Sequence, residues 1–158
     1  MASLAAKWRG FSQLTGFERA ALAEACAGLV VTWPGLRLAG FRRWKTVLHW
    51  LSPGLPAAEC SPQTAAQTAR IVARMEAAAA RNLPFRTSCL DNSLVLSWLL
   101  MRRGIAVELR IGARHDGGKF EAHAWVECGG NVVNQPDEAH LHFAPFDGPI
   151  VSAKTSTN

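Results

Sequence analysis

A thiol and an imidazole stand in this chain where each could serve a nucleophile. Cys89 opens Ser88-Cys89-Leu90-Asp91-Asn92-Ser93-Leu94-Val95-Leu96-Ser97-Trp98-Leu99-Leu100, an apolar run that reads as a buried helix. His123 falls in Phe120-Glu121-Ala122-His123-Ala124-Trp125-Val126-Glu127, whose alternation reads as a strand. A helix N-terminus favours a thiolate, and a nearby imidazole takes the proton. Such a pair needs a third group to orient the imidazole. The run Asn131-Val132-Val133-Asn134-Gln135, followed by Pro136 and Asp137, returns beside His123 and can supply it. Each residue also has a structural reading, Cys89 as a small buried hydrophobe and His123 as a packing side chain. Order and spacing leave both readings open.

The elements that must position these residues follow from periodicity. Thr15 with Glu18 makes a capping box before the apolar run Phe17 to Val31, and Pro34-Gly35 is expected to end that helix. A second helix is expected from about Leu36 to Leu51, with Leu38, Phe41, Trp44, Leu48 and Leu51 on one face. Ser61 and Pro62 start an Ala-rich helix running to about Ala80. Ser88 caps the Cys89 helix, with Asp91 in its first turn and Gly104 after its end at Arg103. Ile105, Val107, Leu109 and Ile111 then alternate as a strand, His115-Asp116-Gly117-Gly118 reads as a turn, and Gly129-Gly130 signals a hairpin. On the second strand, His123 shares a face with Trp125 and Glu127. Helices followed by an antiparallel meander give an α+β class.

With 158 residues, 49% of them hydrophobic, the chain suffices for one core. At 18% charged residues it does not read as disordered. The net charge of +5 owes much to Arg37, Arg42, Arg43 and Lys45, which either form a solvated helix face or meet an acidic partner or surface. Cys26, Cys60, Cys89 and Cys128 show no CxxC and no secretory signal precedes them, so free thiols in the cytoplasm are expected. No apolar run is long enough for membrane insertion. Cys128, His140 and His142 lack the paired spacing of a zinc site. The aromatics do not interleave with the basic residues as a nucleic-acid platform requires.

Taken in order, Ser88-Cys89-Leu90, Leu99-Leu100-Met101-Arg102-Arg103-Gly104, Leu109-Arg110-Ile111-Gly112 and Ala122-His123-Ala124-Trp125-Val126-Glu127 resemble the transglutaminase-like leader peptidases of lasso-peptide biosynthesis. These are the B proteins that cut the leader from the precursor. The resemblance is close over residues 84–146, with the helical part as a less constrained lead-in. It implies a papain-related cysteine peptidase: a helical N-terminal half, 1–83, packed on a transglutaminase-like core, 84–151, whose catalytic helix lies against a small antiparallel sheet, and a tail, 152–158.

Within that resemblance Cys89 matches the nucleophile and His123 the base. The family's acid position is occupied by Gln135, with Asp137 two residues beyond; Asp137 is expected to orient His123, with Gln135 as the alternative. No cofactor or metal is implied. The family's leader-recognition module, a small winged-helix domain, is fused in front or supplied as a separate chain. Helices without alternating strands in the N-terminal half point to the stand-alone peptidase of the split type. Its expected partners are the leader region of a precursor peptide, a separate winged-helix recognition protein, and an ATP-dependent lasso cyclase. A transglutaminase-like acyltransferase with an amine acceptor, or a non-catalytic peptide-binding module, are the alternatives on the same scaffold.

Overall fold

The computed structural model describes residues 11–51, 61–116, 119–135, 142–146 and 151–152. Three helices, α1 (Gly16–Trp50), α2 (Pro62–Asn82) and α3 (Cys89–Met101), precede five strands. The strands are β1 (Glu108–Asp116), β2 (Lys119–Cys128), β3 (Asn131–Val132), β4 (Ala144–Pro145) and β5 (Val151–Ser152). All pair antiparallel in the order β3-β2-β1-β4, and β5 joins β4 on the far side of β1. The α+β class expected from the sequence is the class observed.

α3 is apolar on nearly every side, and a helix of that kind is stable only when surrounded. Leu94, Val95, Leu96, Leu99 and Leu100 are all buried. They join Leu29 of α1, Val72 of α2, and Leu109 and Val126 of the sheet in one core. Each such leucine contributes about 1.5–3 kcal/mol through burial. Ala21 and Ala25 on α1, and Ala69, Ala73 and Ala79 on α2, are buried small residues on the two N-terminal helices. The Thr15 capping box forms as read, and its Glu18 also pairs with Arg74 of α2.

The first helix departs from expectation. It does not stop at Pro34-Gly35; it runs through both and breaks at Gly40, where φ is 75° and ψ 163°. Pro34 has no N–H to give the carbonyl of Val30, a residue that is 49% exposed and so open to solvent. Beyond Gly40 the chain doubles back, and the Trp44 indole N–H donates to Thr32 Oγ1 at 3.2 Å. Gly35 permits that approach, since a β-carbon there would lie 2.6 Å from the Trp44 ring. The expected apolar face therefore holds only from Phe41 to Leu48. Leu48 is buried and Phe41 and Trp44 half-buried, whereas Leu38 is 87% and Leu51 45% exposed.

The sheet differs in extent. Its first ladder starts at Glu108 and carries on through His115 and Asp116, which pair with Phe120 and Lys119 where the sequence reads a turn. Apolar alternation marks only the half of a hairpin that lies on the helices. The outer half pairs through its backbone whatever its side chains, and Phe120 there is 69% exposed. The Gly129-Gly130 turn is as expected, with φ of 57° and 78°, the double positive φ of a tight two-residue hairpin.

Candidate active site

Cys89 is the first residue of α3, a half-buried free thiol. The helix start is closed reciprocally. Ser88 Oγ accepts the Asp91 N–H at 3.1 Å, while Asp91 Oδ2 accepts the Ser88 N–H and hydroxyl, both at 2.7 Å. These bonds leave the N–H groups of Cys89 and Leu90 to the open end of the helix, where an oxyanion can use them. Asp91 is 1% exposed, and its Oδ1 has the Arg37 guanidinium at 3.7 Å.

Arg37 in turn stacks on the Trp33 ring at 4.2 Å and donates to the Trp33 carbonyl at 2.6 Å. The Trp33 indole donates to the Arg86 carbonyl at 3.2 Å, and its ring lies 5.1 Å from that of Phe85. Helix α1 thus braces the segment that delivers Cys89. Arg37, which the sequence groups with a basic surface cluster, belongs to this brace; Arg42 and Arg43 are exposed.

His123 lies on β2 opposite Gly112 of β1. Its ring is stacked near Trp125, centroids 6.4 Å apart at 19°, and tilted against Phe143 at 5.1 Å. Trp125 is 2% exposed although it lies on the strand face expected to be polar. Gly112 makes room for it: a β-carbon there would fall 2.9 Å from Trp125 Cη2 and 2.9 Å from the Ala144 carbonyl. The Trp125 indole donates to Glu127 Oε1 at 2.8 Å, and Glu127 Oε2 has Arg110 at 3.3 Å. Glu127 is therefore committed elsewhere, and burial pushes the His123 imidazole below its ordinary value.

The side-chain amide of Gln135 meets Nε2 of His123, and Gln135 Oε1 is buried without a partner. The two ends of an amide are assigned from the bonds they make. With its oxygen toward the ring, Gln135 accepts the Nε2–H, satisfies the orphaned acceptor, and leaves Nδ1 unprotonated to act as a base. Gln135 thus has the contact that the sequence assigns first to Asp137. Asp137 lies outside the described residues, as do Cys60 and His140.

Ser93 and Asn134, which sequence reasoning passes over, tie these parts together. Ser93 Oγ donates to the Ala124 carbonyl at 3.0 Å and accepts from Asn134 Nδ2 at 3.0 Å. Asn134 Oδ1 accepts the Val126 N–H at 3.0 Å. Ser93 lies one helical turn beyond Cys89, Ala124 follows His123, and Asn134 precedes Gln135. One buried cluster thereby sets the Cys89 helix, the His123 strand and the Gln135 segment against each other. No hydrogen bond joins Cys89 to His123 among the described residues, and catalytic contacts of this kind are often long before substrate binds. Cys128, weighed as a zinc ligand, is buried on the core side and His142 is exposed. Among the described residues no group of His, Cys, Asp and Glu is arranged for a metal, and no helix is long and apolar enough to cross a membrane.

No curated protein and no solved structure matches the chain. A family model does: the transglutaminase-like superfamily, over residues 35–146. The matched stretch begins within α1 and takes in the brace at Arg37, the Cys89 helix, the His123 strand and Gln135. It is a fold consistent with a cysteine peptidase or an acyltransferase. With more than half of its length matched, the chain belongs to the transglutaminase-like superfamily.

Proposed function

We propose that this protein is a cysteine peptidase that removes the leader from a ribosomally made lasso-peptide precursor. Cys89 is the nucleophile, His123 the base and Gln135 the orienting group. The observation that carries the reading is the Gln135 amide on Nε2 of His123, which fixes the ring and leaves Nδ1 for the thiol. Nδ1 takes the Cys89 proton as Sγ attacks the carbonyl carbon at the leader–core junction. The oxyanion is held by the N–H of Cys89. The C–N bond breaks, the imidazolium gives its proton to the leaving amine, and the core departs. Water, deprotonated by His123, then attacks the thioester; the leader leaves as a carboxylic acid and the thiol is restored.

The lasso assignment rests on the order of the four sequence motifs. It is supported by the all-helical character of the described residues before Glu108, which suits a peptidase that relies on a separate winged-helix protein to deliver the leader. An ATP-dependent cyclase then closes the released core. The test is the purified chain with precursor and recognition protein, followed by mass spectrometry. Leader and core are expected with the wild type and neither with Cys89→Ala; release of core by Cys89→Ala would refute it. An added amine that appears in the leader fragment would make the chain an acyltransferase instead.

A further inference from the structure

Beside the start of α3 lies an open cavity of about 450 Å³ that the steps above do not use. Its size is that of a ligand cleft, which runs to about 300–1,000 Å³. Leu83 and Phe85 give it an apolar wall; Arg81 and Arg86 are two basic residues of its lining; Asn92 lines it from α3. Arg86 and Asn92 stand three residues before and three residues after Cys89, so the cavity adjoins the nucleophile. Asn92 Oδ1 is buried and has no hydrogen-bond partner. An acceptor in that state calls for a donor from outside, and a peptide backbone N–H is one. Among the described residues no carboxylate lines the cavity and neither Arg81 nor Arg86 forms an ion pair. The Glu76 carboxyl, on which Arg81 acts, is buried and pushed up to about 8, so it keeps its proton and leaves Arg81 uncompensated at neutral pH. Both arginines are exposed and their charge is available to a ligand.

We infer that this cavity binds an acidic residue of the peptide substrate. The carboxylate lies between Arg81 and Arg86, its methylene stem rests on Phe85, and the adjoining backbone N–H donates to Asn92 Oδ1. The inference rests on Cys89 being a peptidase nucleophile, since that makes a peptide the occupant. It adds a specificity site in which charge selects the substrate.

The test uses the full chain carrying Cys89→Ala, so that nothing is turned over. The probes are a fluorescein-labelled peptide of neutral residues with a single Glu, and the same peptide with Gln in its place. The Glu peptide should bind about fivefold more tightly, as expected for a carboxylate meeting partly exposed cations, and added salt should erase the difference. Arg81→Gln with Arg86→Gln should remove the preference and Arg81→Lys with Arg86→Lys should retain most of it, with melting curves confirming that both variants fold. Equal binding of the two peptides, binding of neither, or a preference that survives the Gln pair would overturn the inference. Wild-type cleavage of precursor is measured in parallel. Cleavage without a Glu preference removes the cavity's role and leaves the peptidase standing; an arginine-dependent preference without cleavage does the reverse.

Discussion

Gln135 turns its side-chain amide onto Nε2 of His123. An amide there holds the ring in one orientation but brings no charge, so it stabilises the imidazolium less than a carboxylate would. Gln135→Ala should lower kcat roughly ten- to a hundredfold, the scale of a slightly misplaced catalytic group, while Asp137→Asn leaves it unchanged. Single-turnover rates on precursor measure both. The opposite pattern would give the orienting role to Asp137.

The pH profile follows from the surroundings of the same ring. Burial favours the neutral imidazole, so His123 remains a competent base below the 6.5 of an ordinary histidine. The acid limb of kcat/KM against pH should therefore lie below that value. Gln135→Glu places a negative charge on Nε2, favours the imidazolium and should move the limb to higher pH. A wild-type limb at or above 6.5 would contradict the burial argument.

Ser93 and Asn134 give a prediction with two readouts. Ser93→Ala strands the Asn134 amide N–H and removes the donor to the Ala124 carbonyl in a fully buried place. It should cost about 1–3 kcal/mol of stability by urea denaturation. It should also lower kcat with KM little changed, because the Cys89 helix and His123 strand lose their common anchor. Loss of stability with kcat intact would make the cluster a packing feature alone.

Glu76 on α2 is 2% exposed, its Oε1 lacks a partner, and burial pushes its carboxyl up to about 8, against a smaller opposing pull from Arg81. Native Glu76 therefore keeps a proton that the unfolded chain releases above about 4.5. Its contribution is fully present below that pH, declines by up to about 1.4 kcal/mol per pH unit as pH rises toward the folded value, and then levels off. Glu76→Gln should flatten the decline and exceed the wild type in stability at about pH 8 but not at about pH 5. Urea midpoints at the two pH values decide it.

The parts of the site legible in the sequence are those written locally. The Ser88-to-Asp91 box announces the helix that Cys89 opens, two glycines announce the hairpin behind His123, and alternation places Val126 inward. Gln135 was legible only as an alternative, because its role depends on where the turn sets its amide. Ser93 and Asn134 read as ordinary helix and loop residues, since their bonds span distant parts of the chain. Phe143 gave no signal at all: its contact with His123 requires β4 to return alongside β1. Pro34 misled for a related reason. A proline usually ends a helix, but tertiary packing of Trp44 on Gly35 moved the break to Gly40. Trp125 sits on the strand face read as polar, yet Gly112 opens a place where its ring is buried.

The central claim is that Cys89 forms a covalent link to the leader. The measurement is intact-mass analysis of the wild-type chain, quenched in acid during turnover of precursor with its recognition protein, followed by digestion to locate the adduct. The account predicts a species heavier by the leader less one water, carried on the Cys89 peptide, cleaved by hydroxylamine and missing from Cys89→Ala. Release of core by Cys89→Ala, or a leader adduct on another residue, would contradict it.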